Sequence, residues 1–90
     1  MIKSFRNKGL DKLWSTGASK IDRRMHERIG RRLDTLNEAI ETSELNLPGY
    51  NFHKLAGKLA RYTIHINGPW CITFEFEGGD ASNVDFEQYH

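Results

Sequence analysis

Tyr62-Thr63-Ile64-His65-Ile66-Asn67-Gly68-Pro69-Trp70-Cys71-Ile72-Thr73-Phe74-Glu75-Phe76, followed by Gly78-Gly79-Asp80 and by Ala81 to Phe86, is the stretch that decides the fold. In its first arm Tyr62, Ile64 and Ile66 alternate with Thr63 and His65. In its second, Trp70, Ile72, Phe74 and Phe76 alternate with Cys71, Thr73, Glu75 and Glu77. A period of two belongs to strands with one apolar and one polar face. Asn67-Gly68 offers a positive-φ pair for a tight hairpin, and Pro69, which lacks an amide, lengthens the loop. Gly78-Gly79-Asp80 makes a second reversal, after which Val84 and Phe86 resume the apolar phase. Three consecutive antiparallel strands with a wet face are predicted, and any chemistry is expected on that face or at its edge.

Upstream of this hairpin pair the apolar spacing changes to that of helices. Leu10, Leu13 and Trp14 recur at helical intervals within residues 8–16, and Gly17 ends the run. Ser19 or Asp22 can cap a second helix, in which Met25, Ile29, Leu33, Leu36 and Ile40 form the buried stripe to about Thr42. Arg24, Arg28, Arg31 and Thr35 occupy a separate, outward stripe. Met1 to Phe5 and Tyr50 to Leu55 are predicted to be further strands, the second of them after the Asn46-Leu47-Pro48-Gly49 break. The fold class is α+β: a small antiparallel-rich twisted sheet with two N-terminal helices packed on one face, in the order β-α-α-β-β-β-β.

Ninety residues at 38% hydrophobic content suffice for one core, so a single domain over 1–90 is expected. No apolar run approaches a membrane span and the N-terminus lacks the apolar block of a secretion signal, so a cytoplasmic protein is expected. One cysteine, Cys71, precludes an internal disulfide. His26, His53, His65 and His90 lack paired metal-ligand spacing, and no glycine-rich phosphate loop joins a strand to a helix; neither a metal nor a cofactor is expected. The net charge of +1 hides a division. Residues 1–32 hold ten basic against three acidic side chains, and residues 33–90 hold three against nine. The basic block from Lys20 to Arg32 has the character of a phosphate footprint or of a solvated helix face.

Several separate pieces together resemble the HigB branch of the RelE/ParE toxin superfamily. They are Met1-Ile2-Lys3-Ser4-Phe5, Lys8-Gly9-Leu10, Leu45 to Gly49, His53 with Leu55 and Gly57, Asn67-Gly68, Trp70 to Phe74, Gly79-Asp80-Ala81 and the closing Tyr89-His90. The resemblance spans the whole chain and rests on the order and spacing of these pieces. It implies a toxin of a type II toxin–antitoxin pair that docks on the ribosome and cleaves mRNA without a metal. It also implies silencing by a cognate helix-turn-helix, HigA-like antitoxin, with operator DNA contacted only through that antitoxin.

Metal-free RNA cleavage needs a base for the ribose 2′-hydroxyl proton, a cation for the extra phosphate charge and an acid for the departing 5′ oxygen. By resemblance, His53, Tyr89 and His90 are the catalytic residues. Lys54, Lys58, Arg61, Arg24, Arg28 and Arg31 are the RNA-binding candidates. At three positions the chain departs from the family pattern: Cys71 replaces an arginine, Ala56 a lysine and Gln88 an aspartate. These departures imply impaired cleavage, with Cys71 tempering the toxin. They also give weight to an alternative, a non-catalytic RelE/ParE-fold protein that blocks gyrase or sequesters antitoxin. A plain RNA-binding module, supported by the basic helix alone, is a third reading.

Overall fold

A computed structural model describes residues 1–57 and 60–88. Helix α1, Lys8–Thr16, begins where the Asn7 side chain accepts from the Leu10 amide and ends where Gly17, at φ +80°, returns its N–H to the Leu13 carbonyl. It buries Leu10 and Leu13. Asp22 then caps a 3₁₀ turn, Arg23–Met25, that leads into helix α2, His26–Glu38. Met25, Ile29, Leu33 and Leu36 are buried as the spacing predicts. The helix stops short of Thr42, however, and Ile40 is 74% exposed instead of joining the stripe. The reason is local. The Glu44 carboxylate accepts the amides of both Ile40 and Glu41, so those groups find partners in a capping box that opens a 3₁₀ turn at Thr42–Leu45. Ala39 and Leu45 take the buried places instead.

The sheet contains β1 (His53–Lys54), β2 (Arg61–Asn67), β3 (Trp70–Glu77) and β4 (Asp80–Gln88), antiparallel and in that spatial order. The N-terminal segment is not a full strand. It runs beside β4 through two parallel bridges, Ile2 to Ala81 and Phe5 to Val84. The strand expected from Tyr50 to Leu55 shrinks to two residues, because Gly49 at φ +83° and Asn51 at φ +44° curl the chain. Tyr50 is nevertheless fixed: its carbonyl accepts the His65 amide, its hydroxyl bonds Thr35 Oγ1 at 2.8 Å, and the Arg32 guanidinium lies 4.4 Å from its ring centre. Thr35, half-buried, is therefore turned toward Tyr50 and not simply outward. In the first hairpin only Gly68 has positive φ; Gly68-Pro69 is the loop, and β2 absorbs the irregularity between His65 and Asn67.

Both helices cover one face. Ile64, Ile66, Ile72, Phe74 and Val84 meet Leu10, Ile29, Leu33 and Leu36 in one cluster. Each such side chain contributes about 1.5–3 kcal/mol when fully buried. A one-residue slip of β2 or β3 would turn the whole set toward water, so this burial fixes which residues occupy the opposite face. Among the described residues no helix is long and apolar enough to cross a membrane.

Candidate functional site

The face away from the helices is crossed by one row of paired residues. His53 on β1 opposes Thr63, Thr63 opposes Thr73, and Thr73 opposes Asp85 on β4. Directly paired residues share a face, so the exposed imidazole of His53 belongs to this hydrophilic surface. Its Nδ1 lies 2.9 Å from the Asn51 carbonyl. A carbonyl can only accept, so in the neutral ring Nδ1 carries the proton and Nε2 keeps its lone pair. The curl at Asn51 thus leaves Nε2 as the nitrogen that can accept a proton. Lys54, one residue on, pairs with Tyr62 and so lies in a row of the opposite face.

The expected wet face is dry at its centre. Thr63, Cys71 and Thr73 are all buried. Arg61 spans this patch: its Nη2 donates to Thr73 Oγ1 at 3.0 Å and to Glu87 Oε2 at 3.1 Å, while the Thr73 hydroxyl donates to the same carboxylate. Arg61 and Glu87 are 25% and 32% exposed, so the pair is less screened than a fully exposed one. The Thr63 hydroxyl is buried with no hydrogen-bond partner among the described residues. Cys71 sits in the adjacent row, between His65 and Glu87. His65 Nε2 bonds the Gly68 carbonyl at 2.8 Å and closes the hairpin, a structural task.

The basic helix builds a second feature, in the other layer. Arg24, Met25, Glu27, Arg28, Arg31, Arg32 and Asn67 line a groove of about 300 Å³. Arg28 Nη1 donates to the Ile66 carbonyl at 3.0 Å, and Arg32 Nε to the His65 carbonyl at 2.8 Å, tying the helix to the hairpin. Burial pulls the Arg32 pKa down from its ordinary value. Arg31 pairs with Glu27 one turn away, and Arg24 with Asp22 at 2.7 Å. The Arg24 side chain and amide hold the Asp22 carboxyl at about 2. Arg28 and Arg32 bond only carbonyls among the described residues, so no carboxylate offsets either charge, and Arg28 is the less occupied of the two.

The family profile described as RelE-like toxin of type II toxin-antitoxin system HigB matches residues 3–90. The chain belongs to that HigB-like toxin family. Over 92 aligned positions it is also 40% identical to the protein named Endoribonuclease HigB of Proteus vulgaris, with the whole of both chains covered. As a HigB-like toxin of a type II system, it has an antitoxin as its partner.

Set against the sequence expectations, the HigB-like fold brings together His53, Arg61 and Cys71 on one face and Arg24, Arg28 and Arg31 along one groove, and separates the two groups. Lys54 joins neither. Ala56 is exposed in the turn after β1, and Gln88 ends β4 in register with Trp70. His53 and Asp85 occupy opposite edges of the sheet, roughly 14 Å apart at about 4.8 Å per strand. Lys58, Tyr89 and His90 lie outside the described residues. Arg61, expected as an RNA-binding residue, is held by an ion pair. Glu87 and Thr73 were missed as its holders. The signal was present in the alternation that puts Thr73 on the polar face, but the β3–β4 register that adds Glu87 depends on an irregularity between Thr73 and Glu75 that no local sequence rule locates.

Proposed function

We propose that this protein is a cytoplasmic, ribosome-dependent mRNA endoribonuclease, the toxin of its pair, silenced by a helix-turn-helix antitoxin of the HigA kind. The observation that carries the proposal is the end-to-end 40% identity to Endoribonuclease HigB. The placement of His53 supports it: an exposed imidazole on a hydrophilic sheet face, with Nε2 left to accept a proton.

In the proposed mechanism His53 takes the 2′-hydroxyl proton as the 2′ oxygen attacks phosphorus. The bond from phosphorus to the 5′ oxygen breaks, and that oxygen receives a proton. Products are a 2′,3′-cyclic phosphate and a 5′-hydroxyl. Tyr89 and His90 are assigned to the leaving-group side, where phenol and imidazolium can donate a hydrogen bond or a proton. No metal is needed for these steps. The basic groove of Arg24, Arg28 and Arg31 grips ribosomal RNA phosphates, leaving the His53 face turned to the message.

Induced expression tests the proposal. Growth should stop, coding regions of translated messages should be cut, and co-expression of the antitoxin encoded beside the toxin should relieve both. Growth arrest with intact messages and lost DNA supercoiling would favour gyrase blockade instead.

A further inference from the structure

We propose that Arg61 is a catalytic residue that neutralises the charge building on the scissile phosphate, and that Glu87 and Thr73 are positioning residues that hold it there. This inference rests on the nuclease function proposed above and names the cation that function requires.

The chemistry defines the vacancy. As the bond from the 2′ oxygen to phosphorus forms and the bond to the 5′ oxygen breaks, the proton of the first passes to a base and the second gains one from an acid. Between those events the phosphorus oxygens carry one more negative charge than the diester did. A fixed cation aimed at them is what lowers the barrier.

Arg61 meets each requirement. It stands two residues before Thr63 on β2 and therefore on the same face as His53. Its guanidinium reaches across to β3 and β4, so Thr63 has the imidazole on one side and the guanidinium on the other. Two strand spacings, about 10 Å, separate the backbones of His53 and Thr73, enough for one phosphodiester between two side chains. A guanidinium has five N–H donors. Nη2 serves Thr73 and Glu87, and the donors on Nε and Nη1 make no hydrogen bond among the described residues, so single N–H donors on separate edges remain for phosphate oxygens.

Two further observations point the same way. Glu87 is contacted at one oxygen, Oε2, by both Arg61 and Thr73, so the carboxylate anchors the guanidinium at Nη2 without using the Nε or Nη1 donors. Beneath lies the orphaned Thr63 hydroxyl. A buried polar atom with no partner calls for an explanation, and a rearrangement of this surface around a polar ligand supplies one. No other arginine or lysine side chain among the described residues is held on this face by both a carboxylate and a hydroxyl.

The test is single-turnover cleavage of ribosome-bound mRNA by the full chain carrying Arg61→Gln, Arg61→Lys, Glu87→Gln or Glu87→Leu, with thermal melting to confirm folding. Arg61→Gln should lower the maximal rate about 100-fold or more while half-saturation by ribosomes moves less than about threefold. Arg61→Lys should lose about 10-fold, because a flexible point charge replaces a planar guanidinium anchored at one end, and it serves as the probe if the glutamine variant does not fold. Glu87→Gln, which keeps both bonds, should stay within about threefold, whereas Glu87→Leu should lose about 10-fold. Rates within threefold of the unaltered chain for both Arg61 variants would overturn the proposal and leave the nuclease function standing. If the unaltered chain cleaves nothing, that function falls, and binding of a 2′-O-methyl RNA dinucleotide decides this site: a tenfold loss of affinity on Arg61→Gln supports it, and equal affinity overturns it.

Discussion

His53 and Thr63 face each other across β1 and β2, and this one pairing sends the imidazole to the open face of the sheet while Lys54, paired with Tyr62, goes to the other. Adjacent residues thus have opposite prospects. His53→Gln should lower cleavage about 100-fold or more, the usual worth of a positioned general base. Lys54→Gln should stay within a few-fold, since a surface charge away from the reacting phosphate adds little. Rate measurements on ribosome-bound message compare the two directly.

The groove along α2 makes a prediction about salt. Phosphate contacts release counterions, so each one lost flattens the dependence of log affinity on log salt by about one unit or slightly less. Arg28→Gln should show the full effect, because that guanidinium bonds only the Ile66 carbonyl among the described residues. Arg24→Gln and Arg31→Gln should show less, since Asp22 and Glu27 already offset those charges. Sedimentation of the protein with ribosomes over a range of salt concentrations measures the slopes.

Cys71 offers a test of how the face obtains its cation. It pairs with Glu87, so an arginine placed there would reach the carboxylate that now holds Arg61. With Arg61 in place, Cys71→Arg should change cleavage less than about threefold. In an Arg61→Gln background the same change should recover at least about 10-fold, the non-additivity expected of residues sharing one partner. A large gain in growth arrest from Cys71→Arg in the otherwise unaltered chain would instead mark Cys71 as a change that tempers the toxin.

The alternation in residues 62–86 made the sheet and its two faces legible, because burial allows only one phase for Ile64, Ile72 and Phe74. The helix starts were legible too, from the spacing of Leu10 and Leu13 and from Asp22 and the stripe through Leu36, although the Asn7 cap was not named. What local rules missed was decided by distant partners. Glu44 ended the second helix early by capturing the Ile40 and Glu41 amides, and Tyr50, bonded to Thr35 and His65, held its segment without making it a strand. His53 was nominated chiefly through resemblance, and its tautomer depends on the left-handed Asn51, which sequence alone does not reveal. Arg61 was noticed for its charge, but its meaning lies in Glu87, 26 residues later.

The central claim is that this face cuts messenger RNA held on a ribosome. The most direct measurement is end-mapping of a defined message incubated with the purified toxin, with and without ribosomes. The account predicts cuts inside the translated frame only when ribosomes are present, leaving 2′,3′-cyclic phosphate and 5′-hydroxyl ends, and none with His53→Gln. Equal cutting of free message, or undiminished cutting by the His53 variant, would contradict it.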